Sequence, residues 1–282
     1  MAGTHSSIST LPSLDCPRAQ DLITRFIADF LAAAGAQKIV LSMSGGLDSA
    51  LVASLCVMAI GAENVLPVYL PSDVSAPESE SDARLVASEL GLKLEVINIT
   101  PQLQAYFSRF PDASVLRRAN KSARERMSIV YDISAREGAL VAGCGNKTEW
   151  LLGYSTHYGD DACAFRPIGD LYKTQVRLLA AYIELPDGII RKPPSADLWP
   201  GQTDEDELGF SYHDVDRLLW RLIEHRRSPA DLISGGFDPD FVNRVLDMIR
   251  RNAFKRSIPP ACVVPDNPSG GEIPDLREGK AR

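Results

Sequence analysis

Lys38-Ile-Val-Leu-Ser-Met-Ser44, continued by Gly45-Gly46-Leu47-Asp48-Ser49 and the apolar run from Ala50 to Ile60, is the stretch whose reading decides the fold. A short apolar strand enters a glycine-rich turn, and the turn opens a buried helix ending near Gly61. Paired glycines let backbone approach a ligand closely. A helix start presents unpaired N–H groups and the positive end of a dipole, so the turn is an anion site. Ser44 and Ser49 add hydroxyl donors. No Gly-Lys-Ser/Thr follows, so this is not the lysine-bearing phosphate loop. Asp48 is there instead. A carboxylate beside a phosphate repels it unless a cation bridges them, and hard, oxygen-seeking Mg²⁺ suits that role. A plain tight turn with Asp48 as helix N-cap is the alternative.

Outward from that turn the pattern repeats. Asp15 and Pro17 start a helix whose apolar positions, Leu22 to Leu31, recur at helical spacing until Gly35. Val65–Leu70, Lys93–Ile99 and Ala139–Gly143 read as further strands. Helices are predicted over Pro77–Leu90, around Gln102–Phe110 and over Lys121–Arg136. Strands alternating with helices predict an α/β fold: a doubly wound parallel sheet with helices on both faces, Rossmann-like in type. After Gly153 the strand signal fades, and helices are predicted near Tyr172–Glu184, Tyr212–His225 and Pro239–Ala253. The expected organisation is a disordered segment over 1–14, one domain over 15–264 and a flexible tail over 265–282.

Composition excludes several classes of function. The 282 residues carry 37 acidic and 30 basic side chains, a net charge of −7, which disfavours nucleic acid as a main partner. No apolar run is long enough to span a bilayer, and Met1–Leu14 lacks the basic start and apolar stretch of a signal peptide. Five cysteines without a CxxC pair disfavour a disulfide framework or zinc site and suit a reducing cytoplasm.

A second chemical signal is Gly143-Cys144-Gly145-Asn146-Lys147-Thr148-Glu149. In a parallel sheet this turn and the Ser44 turn share the carboxyl edge, where ligands bind. Glu149 is thereby placed to share a metal with Asp48; an exposed glutamate at a surface helix start is the alternative. Tyr158-Gly159-Asp160-Asp161 is a weaker signal, and Gly169–Thr174 places Lys173 at a helix start where it suits a phosphate, a solvated lysine being the alternative. Pro194–Trp199 offers the Ser195 hydroxyl. The acidic run Asp204–Glu207 reads as a solvated helix start.

Taken together, Ser44–Ser49, Asn120–Met127, Gly145–Glu149, Tyr158–Asp160, Pro167–Lys173, Pro194–Asp197 and Asp204–Gly209 resemble NAD synthetase in its ammonia-dependent form, over roughly residues 20 to 262. The Gly-rich loop alone marks the wider ATP pyrophosphatase family, with its adenine-nucleotide hydrolase type of sheet. The resemblance implies that ATP, ammonia and deamido-NAD react through an acyl adenylate to give NAD, AMP and pyrophosphate. It assigns Asp48 and Glu149 to Mg²⁺. It assigns Ser44, Gly45, Gly46, Asp48, Ser49, Arg124, Lys173 and Ser195 to ATP or pyrophosphate. Asn120, His157, Asp160 and Lys255 fall to deamido-NAD, with Asp160, Lys173 and Asp48 catalytic. It also implies a homodimer in the cytoplasm, with no membrane or nucleic-acid partner. One departure is Asp161-Ala-Cys-Ala164, where many members have a Gly-rich stretch followed by Asp, so the second acid is lost or moved to Asp161.

Two other readings stand beside this one at the level of sequence. One is another adenylating member of the pyrophosphatase family, such as GMP synthetase or a tRNA-modifying adenylase. The other is a nucleotide-binding regulator without chemistry. The later motifs speak against the first, and intact Asp48, Glu149 and Lys173 against the second. The short segment before the Gly-rich loop is also expected not to encode a glutaminase domain. Ammonium, but not ammonia-free glutamine, is therefore expected to support product formation when each is assayed with the purified protein; equal rates would overturn this.

Overall fold

The computed structural model describes residues 11–199, 201–260 and 262. The expected flexible tail over 265–282, and residues 1–10 of the expected N-terminal segment, lie outside them. Asp15 accepts the Arg18 amide and starts α1 (Cys16–Ala34), which ends at Gly35. Then follow β1 (Lys38–Ser42), α2 (Leu47–Ile60), β2 (Val65–Tyr69), α3 (Pro77–Glu89), β3 (Glu95–Val96), α4 (Thr100–Phe107), α5 (Val115–Glu137), β4 (Ala139–Val141) and α6 (Lys147–Leu152). The remainder is helical: α7 (Lys173–Tyr182), α8 (Asp187–Arg191), α9 (Asp204–Leu208), α10 (Tyr212–Ile223), α11 (Pro229–Ser234) and α12 (Pro239–Arg251).

The four strands form one parallel sheet in the order β3-β2-β1-β4. Successive residues of β1 serve opposite faces, as strand periodicity requires. Ile39 and Leu41 join a core with α1, α2, α3 and α7, whereas Val40 joins one with α4 and α5. The doubly wound parallel sheet expected from the sequence is thus borne out. α2 lies between the sheet and α1, α7 and α8, which is why its residues from Leu47 to Cys56 are apolar almost all round. A third core joins α6 to α10, α11 and α12. Among the described residues no helix is long and apolar enough to cross a membrane.

Two predicted elements differ in extent from the structure, and two short helices are additional. The strand at 93–99 narrows to Glu95–Val96, an edge pairing, although Ile97 and Ile99 still donate to Tyr69 and Pro71 carbonyls. α5 begins six residues before the predicted Lys121, because Ser114 caps the Arg117 amide and the first turn, with exposed Val115 and Leu116, shows no core periodicity. Short α8 and α11 were not expected; α11 is set by Ser228, whose hydroxyl accepts the Asp231 amide.

The order of strands places a topological switch between β1 and β4, where chain leaving β1 turns one way and chain leaving β4 the other. The turn at 44–46 follows β1 there, and the turn at 143–146 follows β4. Gly45 has φ 79°, and a β-carbon on it would collide with the Ser79 carbonyl oxygen of α3. Gly45→Ala is expected to destabilise the fold by about 1–3 kcal/mol through backbone strain, more if α3 cannot yield. Urea unfolding measures it, and wild-type stability would contradict the packing described.

Candidate active site

The two turns are joined by one buried side chain. Asn146 is fully buried and caps α6 by accepting the Glu149 amide at 3.0 Å. Its Nδ2 crosses to Asp48 Oδ1 at 3.0 Å. Glu149 returns a bond, Oε2 accepting the Asn146 amide at 3.2 Å. Asp48 does not cap α2, whose N-cap is Gly46. Its carboxylate is free to face across the switch point.

Lys173 meets it there. The Lys173 side chain is only 4% exposed, and its Nζ pairs with Asp48 Oδ2 and stands 3.4 Å from Glu149 Oε1. Asp204 completes the charge environment; it is buried and takes a hydrogen bond from the Tyr212 hydroxyl at 3.0 Å. Tyr212 also presents its ring to Lys173 Nζ, 5.2 Å from the centroid. Burial disfavours the Lys173 charge, but Asp48 and Glu149 outweigh it and hold the ammonium above its ordinary range. Burial, followed by the Asp48 and Asp204 charges, lifts the Glu149 carboxyl despite Lys173. Burial likewise raises Asp204.

These contacts decide between several readings. Lys173 is not a solvated lysine, nor Glu149 an exposed glutamate. The expectation that Asp204–Glu207 is solvated is wrong for Asp204, which α9 turns inward against Tyr212. Ser44 and Ser49 differ. Ser44 is exposed, whereas Ser49 is buried and braces the turn, accepting the Ser44 amide at 3.2 Å and donating to the Gly46 carbonyl at 3.0 Å.

Among the described residues no three His, Cys, Asp or Glu side chains are grouped to hold a metal alone. Asp48 and Glu149, however, direct carboxylate oxygens at the same ammonium. With Asp204 they are three acids around one lysine, an excess of negative charge. That donor set fits Mg²⁺, which takes one or two protein carboxylates and fills its octahedron with phosphate oxygens and water.

A second group gathers Asn120, Arg124, His157, Asp160 and Lys255, drawn from α5, the loop after α6 and the segment after α12. The Thr156 hydroxyl donates to Asn120 Oδ1 at 2.8 Å, and Arg124 Nε donates to the His157 carbonyl at 3.1 Å. His157 Nδ1 lies 2.9 Å from Asp161 Oδ2, so Asp161 is engaged with the imidazole. Asp160 accepts the Thr156 amide at 2.8 Å. Lys255 Nζ donates to the carbonyls of Gly153 and Ser155 at 2.7 and 2.6 Å, and burial lowers it despite the opposing charges of Asp160 and Asp161. Asp160 therefore has its hydrogen bond and its main charged neighbours in this group rather than at Lys173. Ser195 is bonded into neither group: it is exposed and accepts the Asp197 amide at 3.0 Å. Its loop is anchored at both ends, by the Pro194 carbonyl to the Asp204 amide at 2.9 Å and by Asp197 to the Ala76 amide at 3.0 Å.

Sequence reasoning passed over Asn146, Asp204, Tyr212 and Asp216 as site residues. A signal existed for the last. Tyr212, Val215, Asp216 and Leu219 fall on one buried stripe of α10, and a carboxylate on an apolar stripe needs a reason.

A parallel α/β protein with a glycine-rich helix start and carboxylates converging on a buried lysine at its switch point is built to handle phosphates beside a cation. The chain belongs to the NAD synthase family, whose model matches residues 20–259. It is 50% identical over 238 residues to an NH(3)-dependent NAD(+) synthetase of Trichlorobacter lovleyi, covering 84% of this chain and 87% of that one. A relative of the same name from Fusobacterium nucleatum is 46% identical, with 84% and 92% covered. Among solved structures, NH3-dependent NAD synthetase from Campylobacter jejuni superposes with TM-score 0.74 at 33% identity, covering 89% of this chain and all of that one. NMN synthetase from Francisella tularensis gives TM-score 0.78 at 28% identity, with 89% and 99% covered.

Removing the lysine should expose the electrostatics. Lys173→Met leaves Asp48, Glu149 and Asp204 facing one another and is expected to cost about 3–5 kcal/mol near pH 7 without divalent metal. Losing the ammonium raises the Glu149 and Asp204 carboxyls, already held above their ordinary range by burial, further still. The variant then binds more protons folded than unfolded, so its deficit shrinks as pH falls through the raised values. Denaturant titrations at several pH values measure this, and a pH-independent deficit would contradict it.

Proposed function

We propose that this protein amidates deamido-NAD with ammonia at the expense of ATP, forming NAD, AMP and pyrophosphate. The observation that carries the reading is the Asp48–Lys173–Glu149 cluster at the switch point of a chain that belongs to the NAD synthase family. The nicotinate carboxylate attacks the α-phosphorus of ATP, the bond to the β-phosphate oxygen breaks, and pyrophosphate leaves. Ammonia attacks the carbonyl carbon of the resulting acyl adenylate, gives up a proton, and AMP departs.

The chain's residues divide this work by place. The Ser44–Ser49 turn binds pyrophosphate on the amides that open α2, with the exposed Ser44 hydroxyl at its rim and buried Ser49 holding its shape. Lys173 supplies a positive charge to the departing phosphates. Asp48 and Glu149 would hold Mg²⁺, which would supply neutralisation of phosphate charge. Asn120, His157 and Lys255 line the side that receives deamido-NAD, with Arg124 at the border toward ATP. Ser195 reaches the phosphates from the loop anchored to Asp204 and Ala76. The protein works in the cytoplasm as a homodimer, and exposed Leu22 and Phe26 on α1 offer an apolar face for the second copy.

The test is direct: mix ATP, Mg²⁺ and ammonium with deamido-NAD, or with nicotinate mononucleotide in a parallel arm, and follow pyrophosphate and amide. Amide from the dinucleotide alone supports the reading. Preference for the mononucleotide would move it to the chemistry named for the Francisella protein. Asp160 gives a finer check. Its carboxylate sits between the Thr156 amide and the Lys255 charge, suited to attract ammonium and take a proton during attack. Asp160→Asn is expected to release pyrophosphate in a first turnover yet form amide about a hundredfold more slowly. Equal loss of both steps in rapid-quench measurements would give Asp160 a positioning role instead.

A further inference from the structure

α7 carries Lys173 as its first residue; its own Gln175 Oε1 accepts the Tyr172 amide at 3.0 Å, which leaves the Lys173 and Thr174 amides to other partners. Tyr172 holds the N-cap position without a side-chain cap bond, its hydroxyl being spent on Glu224 at 3.0 Å. The amides of Lys173 and Thr174 are buried, and the first amides of a helix have no partner within it. Both are taken by residues distant in sequence. Thr148 Oγ1 of α6 accepts the Lys173 amide at 3.0 Å. Asp216 Oδ2 of α10 accepts the Thr174 amide at 2.8 Å. The remaining oxygen, Asp216 Oδ1, accepts the Thr148 hydroxyl at 2.5 Å. Asp216 and Thr148 are both fully buried.

We propose that Asp216 is the positioning residue of this site: through Thr148 and the Thr174 amide it fixes the starts of α6 and α7 together, and thereby sets Lys173 and Glu149 opposite Asp48. The assignment of this cluster to ATP rests on the functional reading above.

The chemistry of the side chain supports this role. A carboxylate on an apolar stripe is costly to bury, and an amide of the same shape would cost less. Asp216 has two donors to satisfy, however, and a carboxylate only accepts. Asn would turn its NH₂ toward one of them. The negative charge also lies at the positive end of α7, where it is favoured. Thr148 stands one residue before Glu149 and Thr174 one after Lys173, so a shift at the Asp216 contact is passed directly to both charged side chains. One helical turn before Asp216, Tyr212 supports the far end of the same lysine with its ring. α10 thus holds the start of α7 at the Thr174 amide and Lys173 at its ammonium.

The experiment uses the full chain and four proteins: wild type, Asp216→Asn, Thr148→Val and Thr148→Ser. Amide exchange by NMR, without substrates, should show Lys173 and Thr174 losing protection by about tenfold or more in Asp216→Asn while the amides of β1 keep theirs. Steady-state assays should show kcat/KM for ATP falling about tenfold or more in Asp216→Asn and Thr148→Val, with KM for deamido-NAD little changed. Thr148→Ser keeps the hydroxyl and should recover most of what Thr148→Val loses. Unchanged protection of both amides in Asp216→Asn overturns the proposal. So does a Thr148→Ser variant as impaired as Thr148→Val, or an equal rise of KM for both substrates accompanied by general loss of protection. If Asp216→Asn does not fold, the two Thr148 variants decide by the same readouts. If wild type releases no pyrophosphate, the functional reading fails, and the amide measurements still decide the role of Asp216.

Discussion

A lysine ammonium taken almost wholly out of water is the constraint around which this molecule is arranged. Lys173 can stay charged at that depth only if carboxylates lie within a few ångströms, because an unpaired buried charge is among the costliest groups in a protein. Asp48 and Glu149 supply them, with the Asp204 charge farther off, and the three come from separate helix starts. The parallel sheet makes this possible. It brings the turns after β1 and β4 to one edge, and the buried amide of Asn146 ties those turns to each other. The helical layer of α9 and α10 then closes the third side with Asp204 and Tyr212.

The arrangement is overbalanced toward negative charge, and this gives it function rather than only stability. Three acids around one lysine are an excess of negative charge beside the amides that open α2; on the proposed function the acids would suit a cation and the amides an anion. The second group, around His157, Asp160 and Lys255, is reached from the end of α6, the same short helix that presents Glu149. The six residues of α6 and the loop that follows them therefore connect the two halves of the site.

Much of this was legible in the chain itself. The strand–turn–helix at Lys38–Ile60, the alternation that follows and the Asp15 and Gly35 helix boundaries depend on local chemistry: apolar period, capping side chains and glycine. Asp48, Glu149 and Lys173 stand in short motifs at helix starts, and parallel topology alone places the first two at one edge. Other residues were not legible. Asp204 reads as a solvated acid because nothing in Asp204–Glu207 distinguishes the member that turns inward. Ser49 reads only as a phosphate donor, and its burial against the Ser44 amide and the Gly46 carbonyl shows in the tertiary structure alone.

The sequence by itself determined the alternation of strands and helices, the glycine-rich turn and the residue types of the site, because each follows from neighbours a few positions apart. Tertiary structure decided which charges meet. Lys173 lies 125 residues beyond Asp48, and Thr174 lies 42 residues before the Asp216 that caps it. The sign and burial of such pairs depend on how α6, α7 and α10 pack. Packing sums many weak contacts over long chain separations, so no local pattern carries it.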